Sequence, residues 1–465
     1  QAGNIQSTRG ENISNMVIEV NIYESLYTHA ITGSLVIVDT RNLIGNLPIQ
    51  GTERLSFRLA TKLDSYSSED SIDFTEATGN PMHVYKLTNK EQPNDTTQVY
   101  TLHFCSREFL RNMRTKVSKS YTGRMDEAVN SIFKDSEFLD SKKKLFFQKT
   151  RNQDKVVVPN MKPFTAIEMM SKRALADDSK SAGYYFYQTT KGFHFRSFES
   201  MCVDVRGNAR TPKQTFKYMP MSVDTTGDKS TKIAEDYKSV EQYRFINNFH
   251  DVLFNQAAGT YGHRVITHNL YNKSYKEDDY HYHNYYDQTK HADGPNPAIV
   301  ETPVDFDNKS VSDYPESRVS VMPTTRFAHN EDTGSFGIDV ETDGIITAAR
   351  VSQNNAVTSG TNLKLQVKGQ SYLEPGDVIK FNILSVENKK DSIIGALDPQ
   401  FAGRYIISKI RHRVTNDEYV QVLECAKDSV HTKYKSYNGK SFTGKRLPRE
   451  KGQSIDIMAK ANPHG

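Results

Sequence analysis

The chain has 465 residues, a net charge of +4 and a hydrophobic content of 36%. This length exceeds one ordinary hydrophobic core and predicts two to four domains, while 25 tyrosines and 23 phenylalanines argue against general disorder. The near-neutral charge does not indicate a nucleic-acid binder.

Cysteine usage and hydropathy bear on the cellular compartment of the protein and on membrane insertion. Cys105, Cys202 and Cys425 lie far apart and form no CxxC motif, which favours reduced thiols and assembly in a reducing cytoplasm. No apolar run approaches the ~18 residues of a membrane span, and the first residues show no signal-peptide pattern. We therefore expect a soluble protein without membrane insertion.

Alternation of apolar and polar residues predicts strands in the first hundred residues. Residues 16–22 alternate as a half-buried strand does. Further strand patterns occupy 33–38, 54–60, 82–89 and 98–105, and the polar stretch 64–80 is typical of a loop. Residues 13–106 are therefore predicted to form a β-domain.

Helical spacing follows this β-domain. Apolar residues between Met125 and Phe133 recur at intervals of three and four, and a capping-box pattern at 165–168 begins a second helix. Two short aromatic strands between 184 and 198 form a hairpin. These signals predict a small α+β domain over 107–212.

Strand patterns return in the second half of the chain. The first of them lie within 213–270, and a helix is predicted over about 343–357. A closing strand at 378–383 and a long hairpin over 403–428, which turns at 415–418, follow this helix. We predict one discontinuous β-domain over 213–270 and 343–428.

The segment 271–342 interrupts that domain and is predicted to be an irregular, tyrosine-rich insertion. Its tyrosines suit an assembly surface, because tyrosine combines a large contact area with a polar tip. The predicted interface residues here are Tyr280, Tyr282, Tyr285 and Tyr286. His281 and His283 invite a metal interpretation, but spacing marks no third ligand, so the interface interpretation is favoured and no metal is predicted.

The last segment, 429–465, is a basic tail spaced by Gly, Ser and Asn. It fits either binding to nucleic acid or to an acidic partner groove, or a solvated terminus. The predicted interface residues of this tail are Lys440, Lys445, Arg446 and Arg449. Elsewhere no nucleophile elbow, Walker loop or GxGxxG motif is present, so neither a catalytic residue nor a cofactor is predicted.

Taken in order, four pieces of the sequence resemble the baseplate hub subunit of contractile-tailed bacteriophages, and more distantly the hub part of type VI secretion spikes. They are the opening strands 16–39, the block 100–133, the helix and hairpin of 163–198 and the closing 373–428. The resemblance implies a mainly β fold with an α+β insert, in which two tube-type β-barrels are related by duplication. The first barrel would be 13–106 and the second 213–270 with 343–428.

The resemblance also implies a structural, non-enzymatic protein of the virion baseplate that is assembled in the host cytoplasm. In that family three subunits with two barrels each give six equivalent positions, which lets a homotrimer join a sixfold tail tube to a threefold central spike. The implied partners are the tail tube protein, a spike that often carries a lysozyme, the tape measure protein and the baseplate wedge proteins, with wedge contacts expected at 271–342. DNA is expected to pass non-specifically through the channel.

Two alternatives remain at this point. One is the hub of a related contractile injection or secretion machine, which would be expected to continue into a needle domain where this sequence has a basic tail. The other is a tail-associated, wall-degrading enzyme, which needs an acid pair in a cleft.

Overall fold

A computed structural model describes residues 10–46, 51, 53–59, 71–151, 153–179, 181–218, 237–247, 251–269, 273–299, 301, 309–324, 327–330, 335–338, 344–385 and 397–432. The chain folds into two compact units. The larger unit comprises Gln1–Ile246 and Asn362–Ala426, and the smaller unit comprises Asn247–Thr361 and Lys427–Gly465. The fold is mainly β, which confirms the predicted fold class. Among the described helices, none has the length and apolar character needed to cross a bilayer.

The larger unit begins with a first β module. A 3-10 turn, Ser14–Met16, leads into its elements, which are β1 Val17–Ser25, β2 Thr32–Asp39, α1 Leu43–Asn46, β3 Arg54–Leu55, β4 Phe57–Leu59, β5 Ile72–Phe74, β6 Met82–Asn94 and β7 Thr97–Ser106. Alternate residues of β1, β2 and β7 face one core, in which Ile22, Tyr100 and Phe104 are fully buried.

An α+β module follows. Its elements are α2 Arg107–Arg114, β8 Val117–Arg124, α3 Met125–Lys134, β9 Leu145–Phe147, β10 Gln153–Met161, α4 Pro163–Ser171, β11 Tyr184–Thr189, β12 Gly192–Ser197 and α5 Phe198–Cys202. The predicted helix stripe and aromatic hairpin share its core, where Phe133 packs edge-on against Phe193. His194 stacks between Phe146 and Tyr187, and burial lowers its pKa to about 3, so this imidazole is neutral.

The second β module completes the larger unit. Its strands are β13 Gln214–Lys217, β14 Val240–Asn247, β21 Thr361–Lys368, β22 Val378–Asn382, β23 Gly403–Thr415 and β24 Tyr419–Lys427. They follow the order β14-β21-β24-β23-β22-β13, and a bridge between Lys217 and Ser239 returns β13 to the start of β14. The module is therefore a closed barrel, and its β23–β24 hairpin turns where the sequence predicted.

The two β modules share one strand order. The main sheet of the first module runs β1-β2-β7-β6-β3, and that of the second runs β14-β21-β24-β23-β22. In chain order, each sheet is thus first, second, fifth, fourth, third. This repetition is the duplication that the resemblance implied.

Local details repeat as well. β6 shifts register directly after Val84, and β23 does so directly after Ile407. At these two bulges the Val84 N–H donates to the Glu53 carbonyl and the Ile407 N–H donates to the Asp377 carbonyl, each at 2.9 Å. Val84 and Ile407 are therefore equivalent positions, and this equivalence aligns β6 with β23 as far as Thr88, beyond which β6 shifts register twice more.

The smaller unit has its own sheet and core. Its elements are α6 Val252–Ala257, β15 Gly262–Asn269, β16 Ser274–His281, α7 Tyr282–Tyr286, β17 Asn296–Pro297, β18 Val319–Thr324, β19 Phe327–Asn330, β20 Ser335–Ile338, α8 Gly344–Ser359 and β25 Ser429–Val430, with 3-10 turns at Val311–Asp313 and Pro315–Ser317. Helix α8 packs on a sheet ordered β16-β15-β18. A buried Lys427–Asp293 ion pair, 3.4 Å between Nζ and Oδ2, lies in the same unit.

These contacts differ from the predicted domain boundaries. The sequence assigned β15 and α8 to the second barrel, but β15 pairs with β16 and β18 instead. Helix α8 contributes Ala348, Ser352 and Ala356, spaced four apart, to the core against this sheet. The segment 271–342, predicted to be irregular, contains strands and helices that belong to this unit. Periodicity revealed the elements but not which sheet each one joins.

Candidate assembly site at the seam between the β modules

The two β modules of the larger unit are joined by a strand seam. β1 of the first module pairs antiparallel with β23 of the second over seven residue pairs, from Glu19 opposite Thr415 to Ser25 opposite Lys409. β23 begins by pairing with β22 of its own barrel, from Gly403 to Ile406, and then continues onto β1. The seam therefore merges the modules into one continuous sheet.

The outer face of the seam is charged and partly exposed. Arg413 Nη2 lies 3.3 Å from Glu19 Oε2, and Arg411 Nε donates to Asn21 Oδ1 at 3.0 Å. A hydrogen bond from the Asn21 amide, supported by Arg413, lowers the pKa of Glu19. Such half-exposed pairs stabilise a fold by about 1 kcal/mol or less.

The inner face of the seam is buried and polar. His412 Nε2 lies 3.1 Å from Glu24 Oε1, and both side chains are fully buried. His412 Nδ1 is 2.8 Å from the Tyr419 hydroxyl, and Gln421 donates to the Gln370 carbonyl at 2.8 Å. Each of these groups has partners, so the network fixes the register of β1 on β23 at little desolvation cost.

A second acid lies beside this network. Burial raises the pKa of Glu374 to about 7; the neighbouring Glu24 and Asp377 add to the rise, and Lys191 and Lys213 oppose it. Lys191 Nζ is 3.3 Å from Glu374 Oε1.

The same acids connect the α+β module to the seam. The Thr190 N–H, in the turn between β11 and β12, donates to Glu24 at 3.3 Å. Glu24, Thr190 and Glu374 come from the first β module, the α+β module and the second β module respectively. All three modules of the larger unit therefore meet at these residues.

The acidic side chains at the seam are engaged in structural contacts. Glu24, Glu374 and Asp377 are buried and bonded to lysine, histidine or backbone groups. A cavity of about 1030 Å³ opens in the first β module, and its lining includes Glu11 and Glu76 but none of the seam acids. Within the described part of the chain, no group of three or more His, Cys, Asp or Glu side chains is arranged to hold a metal ion.

The structure corrects the expectation of a solvated tyrosine surface. Tyr280, Tyr282 and Tyr286 are buried in the core of the smaller unit, and Tyr285 is half-buried and stacks on Tyr280 at 5.3 Å. Tyr286 stacks on His291 at 3.7 Å. The reason is geometric: Tyr280 points inward from β16, and the spacing of four between the two helical tyrosines places both on the inner face of α7.

The other predicted site residues lie elsewhere. His281 and His283 do not converge on one point, because Nδ1 of His281 meets the Ser312 carbonyl at 2.8 Å while His283 contacts the Ser312 hydroxyl and the Ile299 carbonyl. Lys440, Lys445, Arg446 and Arg449 lie outside the described residues.

Sequence reasoning missed the seam. A signal was present in the spacing of core residues: Met82, Val84 and Leu87 on β6 repeat the pattern of Tyr405, Ile407 and Ile410 on β23. In both strands, an interval of two residues followed by an interval of three marks the bulge. Detecting it requires comparing the two halves of the chain, since each half alone resembles any bulged strand.

No protein-family model matches the chain. The probable baseplate hub protein gp334 of Vibrio phage KVP40 is 19% identical over 430 residues, which cover 90% of this chain and 91% of that protein.

Among solved structures, the 43 kDa tail protein of prophage MuSo2 from Shewanella oneidensis is 7% identical to this chain. The match covers 89% of this chain and 95% of that protein, with a TM-score of 0.49. The E. coli c3393 protein, described as a component of the type VI secretion system, is 10% identical. That match covers 90% of this chain and 75% of the E. coli protein, with a TM-score of 0.41. The match to the Vibrio phage protein along about nine tenths of both chains confirms the resemblance drawn from the sequence: the chain is similar to a probable phage baseplate hub protein.

Proposed function

We propose that the protein is a homotrimeric hub subunit of a phage baseplate, which joins the sixfold tail tube to a threefold central spike and forms part of the DNA ejection channel. The observation that carries this proposal is the repeated strand order, β1-β2-β7-β6-β3 and β14-β21-β24-β23-β22, in one chain. It is a structural role, without catalysis or cofactor.

The argument is one of symmetry. A threefold partner and a sixfold partner cannot both bind a ring through identical contacts unless each subunit presents the tube-facing surface twice. A chain with two equivalent β modules does so, because three copies supply six modules. A single-module protein would need six copies and would then mismatch the spike.

The proposed partners follow from this position. The tail tube protein meets the ring of six modules on one side, and the spike protein meets the trimer on the other. The tape measure protein and then DNA pass through the ring, and the smaller unit contacts wedge proteins. The basic residues Lys440, Lys445, Arg446 and Arg449 remain proposed partner contacts.

The test is the mass of the purified full chain. Native mass spectrometry and light scattering should give about three times the chain mass of 52.8 kDa. A strict monomer across micromolar to hundred-micromolar concentrations, or a dimer or hexamer, would contradict the trimer. A peptidoglycan turnover assay on the same sample should show no activity, and turnover that survives repurification would favour the wall-degrading alternative.

A further inference from the structure

We propose that the end of α2 and the neighbouring end of the β8–β10 pair form a docking surface for an acidic protein segment, which Arg114, Lys116 and Lys162 would bind. We call these residues the basic surface. It belongs to the α+β module and goes beyond the proposed function, because it requires neither a trimer nor any partner named above.

Positive charge is concentrated in this module. Residues 107–173 carry 16 Lys and Arg against 8 Asp and Glu, a net charge of +8, whereas the whole chain carries +4. The remaining residues therefore carry a net charge of −4. An acidic partner is thus attracted to this module and not to the chain as a whole.

Two lysines of the basic surface lie side by side. β8 and β10 are antiparallel, and at this end their last pair is Val117 opposite Met161. Lys116 and Lys162 each lie one residue beyond that pair, and both side chains are exposed. Like charges that face each other across two strands are destabilising, so this arrangement has a cost in the free chain.

Lys162 also opposes the helix that follows it. It is the N-cap of α4, with φ −61° and ψ 146°, and its side chain makes no capping hydrogen bond to the described N–H groups of the helix. Serine, threonine, aspartate and asparagine are preferred at this position, and the positive end of the helix dipole repels an ammonium group. An exposed residue that breaks two local preferences is expected where binding, and not the fold, uses the side chain.

The cations of the basic surface are not used inside the chain. Within the described part of the molecule, no carboxylate forms an ion pair with Arg114, Lys116 or Lys162. By contrast, Arg107 at the start of α2 pairs with Asp140 at 2.7 Å. The three charges at the other end of α2 therefore remain available to a partner.

The surface has a fixed frame and an apolar part. The Phe164 N–H of α4 donates to Asn112 Oδ1 of α2 at 2.8 Å, which ties the two helix ends together. Lys162 Nζ lies 3.4 Å from Met113 Sδ, and Met113 is 57% exposed. A partner can therefore place carboxylates on the cations and an apolar side chain on Met113.

This combination favours a protein segment over nucleic acid. Three cations neutralise about three phosphates, which gives weak binding that salt readily reverses. The exposed apolar side chain, Met113, has no ring on which a base could stack. A segment with several carboxylates and an aliphatic side chain matches both the charges and the thioether.

The experiment is photo-cross-linking of the full chain to a short peptide in which glutamate alternates with leucine and one leucine is replaced by benzoylphenylalanine. Digestion and mass spectrometry locate the adducts. We expect the main adduct on Met113, with a yield that falls as salt is added. Counting only the adduct at Met113 separates this surface from the basic tail.

Two variants give the comparison. The double variant Lys116→Ala and Lys162→Ala should lower the yield at Met113 at least about tenfold, because two ion pairs to the peptide are lost. The matched control, Lys172→Ala, removes an exposed lysine of the same module that pairs with Glu168 at 2.9 Å, and it should leave the yield unchanged.

Lys162→Ser separates a binding role from a structural one. Serine supplies a preferred cap and removes the repulsion from Lys116, so the ratio of folded to unfolded chain in urea should rise about fivefold. The yield at Met113 should nevertheless fall. A less stable Lys162→Ser variant would overturn the argument from local preference.

Three further results would contradict the proposal. Adducts without preference for Met113, or a yield that the double variant leaves unchanged, would overturn the docking surface. Duplex DNA that displaces the peptide more effectively than unlabelled peptide does would overturn the choice of a protein partner. Since none of these results depends on the mass of the assembly, the trimer is tested separately.

Discussion

The seam strand β23 and the strand β6 of the first module are equivalent as far as Thr88, but β6 beyond β3 pairs only with β7 among the described strands, and the two strands carry different side chains. Where β1 covers β23, the inner face holds the fully buried Glu24 and His412. After the equivalent bulge, β6 carries Leu87 and Thr88, which are half-buried, and then the exposed Asn89 and Lys90. A permanent internal contact tolerates buried polar groups because their partners are always present, whereas side chains that water reaches need no partner within the protein.

The largest effect should come from breaking the buried pair of the seam. His412→Ala leaves the Glu24 carboxylate buried without its imidazole partner, so the free energy of unfolding should fall by about 3–5 kcal/mol. Urea denaturation followed by near-UV circular dichroism measures this loss.

The control is Lys90→Ala, at an exposed residue of β6. It should change the free energy of unfolding by less than about 0.5 kcal/mol. Similar losses in the two variants would contradict the contrast between the buried seam and the exposed stretch of β6.

The next largest effect should be the pH dependence of the free energy of unfolding that Glu374 causes. Burial raises its native pKa to about 7, compared with an ordinary value of 4.5, so the folded chain holds a proton that the unfolded chain releases between these values. Stability from this group is therefore present at pH 4.5 and below, and is lost as the pH rises towards 7. The loss is at most about 3 kcal/mol, and the opposing effect of Lys191 is already contained in the pKa of about 7.

Glu374→Gln should remove this dependence. The variant should gain stability relative to wild type at pH 8.5 and not at pH 5, as measured by urea midpoints at the two pH values. Glu418→Gln, in the exposed turn after β23, is the control and should leave the pH profile unchanged. An equal gain at both pH values would argue that Glu374 is ionised in the folded chain throughout this range.

Much of the fold could be predicted from the sequence, because strand and helix periodicity depends on nearby residues. The β23–β24 hairpin, helix α8 and the aromatic β11–β12 hairpin are examples. Sheet membership could not be predicted, because β15 and β14 are close in the chain and have similar alternation but join different sheets. The prediction of an interface formed by the tyrosines was wrong for a related reason: the burial of Tyr280 and Tyr286 depends on the helix and strands that cover them. The seam depends on residues about 390 positions apart, such as Arg411 and Asn21.

The smallest expected effect tests the outer face of the seam. Arg413→Ala removes the 3.3 Å pair with Glu19, while Arg411 stays near the same carboxylate at 3.8 Å. Because both arginines are about two-fifths exposed, the loss should be about 0.5 kcal/mol at roughly 0.1 M salt and should vanish near 1 M, where the screening length falls to about 3 Å. Urea midpoints at the two salt concentrations provide the measurement. A loss that persisted at high salt would mean that Arg413 stabilises the seam by packing its aliphatic stem, and the outer face would then resemble the buried inner face more than the exposed stretch of β6.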